Sequence, residues 1–335
     1  MEATITAKIT GMNTIKLSCC ARLGAITVAI ATLGLAGTTL AADSHPLPLW
    51  QVSDAQGHTM YLAGSMHMLK QADYPLPKAF DRAFKRSSRL IEELNLNAIP
   101  PSKVQKAVVD LAKLPQGKTL ADAMGSHWHE TRKLAARAGI SLTPYEQYKP
   151  WYAALRIASL GFIKAGYNPM IGLDYHFANL AAEHKMPVHG LETLTQQMNF
   201  FNQLKMSTQR KYLLQLLKNL PKSSGDLAKL HAAWQTGNLE KMNAMAEKDF
   251  SKYPALLKQL LVQRNENWMP TLTDCLVKNR RCFVVVGAEH MAGDKGVLAL
   301  LEKDGYKVRQ LQGHQPASAA TGATAASVPT PASAQ

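Results

Sequence analysis

The sequence has no Walker loop, no G-x-G-x-x-G behind a strand, no G-x-S-x-G elbow and no H-E-x-x-H helix. Each absence removes the usual support for one chemistry: nucleotide cradling, dinucleotide binding, serine esterase action and zincin-type hydrolysis. No basic run is interleaved with aromatic residues, so nucleic acid is not an expected partner. Internal repeats of short period are absent, which excludes a solenoid. Cysteine is scarce, with four in 335 residues. Two of them, Cys19 and Cys20, lie before an apolar stretch, where a lipid-attachment cysteine would have to follow it.

What is present describes a globular chain. Hydrophobic residues make up 46% and mean hydropathy is -0.15, enough apolar content to build a core. Lys8, Lys16 and Arg22 precede the apolar stretch 23–36, and small residues follow in "AGTTLAADSHP". That order is a secretory signal, with cleavage expected after Ala41 and the mature protein expected in the periplasm or secreted. The formal net charge is +14, and most of that excess lies beyond residue 41. A basic surface favours membrane surfaces or anionic envelope glycans as contacts. Cys275 and Cys282 are the two cysteines left after cleavage, and an exported chain predicts a disulfide between them. Residues 314–335 are rich in Ala, Ser, Thr and Pro and uncharged, which reads as a disordered tail. Residues 42–313 are left as a single domain.

"LWQVSDAQGHTMYLAG" predicts a hairpin turning at "DAQG". "RLIEELNL", "MPVHG", "CFVVV" and "YKVRQL" predict four further strands. The apolar spacing is helical over most of 101–165, in "GLDYHFANLAAEHK", over most of 194–277 and in "KGVLALLEKDG". The fold class is therefore α/β or α+β, a small central sheet with large helical insertions.

Two apolar strands end in Gly-x-x-His, "YLAGSMH" at His67 and "FVVVGAEH" at His290. A side chain just past a strand end lies in the crevice at the carboxyl edge of the sheet, where ligands bind in open α/β folds. Two imidazoles delivered there can share a divalent ion. Glu93 and Glu192 follow strands of their own and can complete a metal site or act as general base to a metal-bound water. Glu92 and Glu93 are adjacent, and one of the two is expected to see solvent. Arg264, in the helical "RNENW", can clamp an anionic substrate or an oxyanion as readily as it can form a surface salt bridge. Asp174 is either a helix-start residue or part of the site. His189 precedes Glu192 near a strand end and is a candidate for supporting it.

These segments together, with "AAWQTGNLEKM" and "QRNENWMPTL", resemble the TraB/GumN family, whose relatives include the TIKI-type metalloproteases. The likeness stretches over residues 49–312. It implies the paired histidines His67 and His290, essential glutamates at Glu93 and Glu192, and an Arg/Asn position at Arg264 and Asn265. For the TIKI-like members it also implies metal-dependent peptide hydrolysis, with Mn or Co rather than Zn. The expected reaction is then hydrolysis of a peptide or protein substrate by a water bound to an ion on His67, His290, Glu93 and Glu192. The rival expectation is a non-catalytic envelope protein that holds an anionic glycan or a porphyrin-type ligand at the same place. A third reading has the histidines only tying strand ends together.

Overall fold

The computed structural model describes residues 44–250 and 254–314. The expected signal peptide and the expected tail beyond His314 lie outside the described residues. Chain order begins with β1 (Ser44–Ser53), β2 (Thr59–Ser65), α1 (Lys78–Lys85) and β3 (Arg89–Glu92). A helical stretch follows: α2 (Pro101–Ala112), α3 (Leu120–Met124), α4 (Trp128–Arg137), α5 (Pro150–Lys164) and α6 (Leu173–Glu183). After β4 (Val188–Gly190) come α7 (Leu194–Asn202), α8 (Met206–Asn219), α9 (Ser223–Gln235), α10 (Leu239–Phe250), α11 (Pro254–Leu257) and α12 (Gln263–Val277). The chain closes with β5 (Cys282–Gly287), α13 (Val297–Lys303) and β6 (Lys307–His314).

The six strands form one mixed sheet in the order β4-β3-β5-β2-β1-β6. β4, β3, β5 and β2 run parallel, while β1 pairs antiparallel with β2 and with β6. The fold is therefore α/β with helical insertions, as the strand and helix patterns predict. The hairpin between β1 and β2 turns at Asp54–Gly57, where Asp54 accepts from the backbone N–H groups of Gln56 and His58. Among the described residues no helix is long and apolar enough to cross a membrane.

Side-chain alternation splits the sheet's apolar surface between two layers. Tyr61, Ala63, Leu90, Phe283 and Val285 face α1 and α6, packing against Phe80, Phe84 and Phe177. Met60, Leu62, Ile91, Val284 and Val286 face α12 and α13, with Trp268, Leu272 and Leu301. Parallel strands covered on both sides read as unbroken apolar runs, which is why "CFVVV" carries no polar residue. A third cluster, including Leu120, Ile157 and Leu213, joins α3, α4, α5 and α8 away from the sheet.

Cys275 at the end of α12 and Cys282 at the start of β5 are joined by a disulfide, with Cα atoms 6.3 Å apart. It closes the short turn that delivers β5 into the middle of the sheet.

Candidate functional site

The register of the parallel block gathers the strand ends. Ser65 lies opposite Gly287, and Glu92 lies opposite both Val285 and Gly190. His67, Glu93, Glu192 and His290 each follow one of those ends within three residues. The pairing of β3 with β4 runs on past the strands, since Leu191 N–H donates to Glu92 O and Glu192 N–H to Glu93 O.

Each glycine of the two Gly-x-x-His motifs is needed for close approach. A Cβ on Gly64 would stand 3.0 Å from Ala288 Cβ and 3.1 Å from its Cα, so the turn after β5 packs directly on the end of β2. Trp234 of α9 fixes that end by donating its indole N–H to Gly64 O at 2.8 Å. A Cβ on Gly287 would crowd Glu93 Oε1 and His290 Cδ2, at 3.3 and 3.4 Å. Without one, Gly287 N–H reaches Glu93 Oε1 at 2.7 Å.

Arg264 is the centre of the cluster. It enters on the first turn of α12, which continues a π-helical turn, Lys258–Val262. Its Nε and Nη2 grip Glu192 at 2.8 and 2.9 Å as a fork. Nη2 also donates to Glu93 Oε2 at 2.6 Å, and Nη1 donates to Leu260 O at 3.2 Å and to His290 Nε2 at 3.0 Å. A guanidinium has five N–H donors, and these five bonds use them all. Arg264 is 7% exposed, so none is left for an incoming oxyanion without breaking a bond.

The partners are themselves fixed. Glu192 also accepts from Trp268 Nε1 at 3.0 Å, and Glu93 from Gln197 Nε2 at 3.0 Å. Asn265 donates to Lys295 O at 2.8 Å, which turns its Oδ1 to His290 Nδ1 at 2.6 Å. His290 is therefore the Nδ1–H tautomer, with its Nε2 lone pair taken by Arg264. Burial chiefly lowers the His290 pKa, to about 3, with Arg264 adding to it and Glu93 opposing it. Burial by itself would raise Glu93; its charged neighbours and the Gly287 N–H reverse that and bring it to about 2. Because His290 is neutral, Arg264, then His67 and the Gly287 N–H, carry that effect.

Glu92 behaves differently. Both it and Glu93 are buried, 1% and 7% exposed, so the expectation that one would see solvent is overturned. Glu93 is sheltered by Arg264, whereas Glu92 continues the Leu90 face of β3 toward α6 and has no partner on either oxygen. Burial first, then Asp174 and Glu93, push its pKa up to about 9.

His67 stands at the open side. Its Nδ1 lies 3.1 Å from Asp174 Oδ2, in the first turn of α6, and its side chain is 63% exposed. Asp174, then Glu93 and Glu289, raise its pKa against the effect of burial, and solvent on the exposed face tempers that attraction. The helix start is anchored to the same loop, with Leu173 N–H donating to Met66 O. Asp174 is thus both a helix-start residue and a partner in the site.

The structure brings His67, Glu93, Arg264 and His290 to one cleft of about 370 Å³. Its floor is apolar and soft, with Met66, Met198, Met242, Phe162, Phe200 and Phe201. Glu192 and Asn265 lie behind Arg264 and His290 rather than in the lining. His189 is exposed and lines a separate recess beside the disulfide, away from Glu192. Gln197, Trp268 and Ser65 join the site without having been singled out from sequence.

The expected ion set of His67, His290, Glu93 and Glu192 does not fit as arranged. An imidazole nitrogen has one lone pair, and that of His290 Nε2 is occupied by Arg264. Among the described residues, no three His, Cys, Asp or Glu side chains come together closely enough to hold a metal ion. Among the described residues near the cleft, unpartnered buried oxygens lie instead on Glu92, Asp174 and Ser65.

A parallel block with a polar cluster at the carboxyl ends of its strands, under helical insertions, places that cluster where ligands bind in open α/β sheets. The model of the TraB/PrgY/gumN family matches residues 48–310, and the chain belongs to that family. Neither a curated protein nor a solved structure gives a significant match to it.

Proposed function

We propose that the chain is an exported, metal-dependent hydrolase that cleaves peptide bonds in the cleft beneath His67. The observation that carries this reading is the His67–Asp174 pair at the mouth of an apolar cleft. Asp174 takes the Nδ1 side of the ring, which leaves Nε2 turned away from it to move a proton to or from a bound substrate. A divalent ion on His67, His290 and Glu93 would supply an acidified water, and would require Arg264 to release His290 Nε2 and Glu93. The Arg264 knot holds Glu93 ionised at the cleft wall, and the Met and Phe floor receives an apolar side chain of the substrate while excluding water. The disulfide supports export, since such bonds persist in oxidising compartments.

The test is cleavage of a mixed peptide library by the purified protein with Mn or Co added. The expected result is cut sites flanked by apolar residues, lost in His67→Ala. No cleavage with either ion would overturn the reading. The sulfur- and ring-lined floor favours one rival, a binding protein for a flat apolar ligand such as a porphyrin. An anionic glycan is less suited, because Glu93 and Glu289 line the cleft. Saturable porphyrin binding without peptide cleavage would establish that rival.

A further inference from the structure

The recess beside the disulfide, of about 420 Å³, shares no lining residue with the cleft. It sits toward the amino-terminal ends of β3 and β5, where the cleft sits at their carboxyl ends. Arg89 and His189 line it from the sheet, Thr271 and Asp274 from α12, and Arg280 from the turn that the disulfide closes. That turn is tied down beside Arg89. The Arg280 N–H donates to Cys275 O, and the Arg280 carbonyl accepts from Ser88 Oγ at 2.7 Å. Charge in the recess is unbalanced. Asp274 is the one carboxylate in its lining, and both oxygens are taken, Oδ1 by Lys278 and Oδ2 by Arg280 at 2.9 Å. Arg89 receives neither. Among the described residues its side chain makes no hydrogen bond or ion pair, and its Nε is buried without a partner. Buried donors are nearly always paired, and a guanidinium cannot shed its charge to escape the cost.

We propose that this recess binds a phosphate group, held by the guanidinium forks of Arg89 and Arg280. Three cations, Arg89, Lys278 and Arg280, stand around one carboxylate, and the excess matches the dianion of a phosphate monoester. A guanidinium presents parallel N–H donors that meet phosphate oxygens in pairs. The pair with Asp274 uses only Nη2 of Arg280, which leaves its Nε and Nη1 for the ligand. Thr271 adds a hydroxyl, and the exposed His189 a ring nitrogen at the rim. The recess is larger than one phosphate, with room for the sugar or glycerol that carries it. The site does not rest on the hydrolase reading.

The experiment titrates the purified protein with inorganic phosphate at constant ionic strength and follows the arginine Nε–H groups by nuclear magnetic resonance. Saturable binding is expected, with the Arg89 Nε–H shifting as the site fills. Affinity should fall about tenfold or more in Arg89→Gln and in Arg280→Gln. It should change less than about twofold in Lys133→Gln, which removes the same charge from the exposed face of α4. Circular dichroism confirms that each variant folds, and Arg280, on a turn, tests the site even where Arg89→Gln does not fold. An unmoved Arg89 Nε–H in the wild type, absence of saturation, equal affinity for acetate, or equal loss in Lys133→Gln would overturn the proposal. Glycerol phosphate, and phosphatidylcholine vesicles containing phosphatidic acid, present the same group free and on a lipid. Binding of the first alone assigns a soluble ester, whereas cosedimentation with the vesicles, lost in Arg280→Gln, assigns a headgroup.

Discussion

Arg264 Nη1 donates to His290 Nε2 across 3.0 Å, with both side chains almost wholly buried. An arginine and a histidine meet because the ring is neutral and offers a lone pair. The same guanidinium neutralises part of the charge of Glu93 and Glu192, so one cation organises three of the acceptors that the sequence marks for a metal.

Removing that cation leaves two buried carboxylates uncompensated. Arg264→Ala should destabilise the fold by about 3–5 kcal/mol in a denaturant titration. Arg264→Lys should recover only part of the loss, because an ammonium cannot reproduce the planar fork. A change below 1 kcal/mol in Arg264→Ala would show that the knot contributes little.

The depressed pKa of His290 makes stability depend on pH with a definite sign. In the unfolded chain the ring takes a proton below about 6.5, while in the folded protein it resists until about 3. Its contribution is complete above pH 6.5 and is lost progressively as pH falls toward 3, by up to about 1.4 kcal/mol per pH unit. Stability curves of wild type and His290→Gln between pH 7 and 4 should therefore converge as pH falls. Parallel curves would contradict the buried neutral tautomer.

Space at two glycines gives opposite outcomes for one substitution. Gly64→Ala drives a methyl against Ala288 and should cost about 1–3 kcal/mol. Gly161→Ala, in α5 with nothing within 4 Å of the new methyl, should gain about 0.5–1 kcal/mol. Thermal melts of both variants measure the difference.

Loss of the disulfide should also register. The crosslink joins residues seven apart, and the entropy of closing so short a loop predicts about 2–3 kcal/mol lost in Cys275→Ser under oxidising conditions. Under reducing conditions the variant and the wild type should unfold at similar denaturant concentrations.

The strands were readable because each is a short apolar run bounded by turn residues, and the parallel block placed their ends together. His67, Glu93 and His290 could therefore be named from sequence. The role of Arg264 could not, since its five acceptors come from four separate segments of the chain. The strand pattern at Glu92 and Glu93 was misleading for the same reason. Alternation assigns one of them to solvent, but Arg264, 171 positions from Glu93, makes burial of the second carboxylate tolerable. Asp174 fits a helix start in sequence, and only the approach of α6 to the loop after β2 reveals its second function. Gln197 carries no local signal at all; it reaches Glu93 because α7 follows directly on β4.

Ser44 lies opposite His314 across the β1–β6 edge of the sheet. The first and last described strands are thus neighbours, and a linker of a few residues would join them. New ends cut at the exposed turn between β1 and β2 would then give a circularly permuted chain with every strand pairing kept, including those that set the cleft.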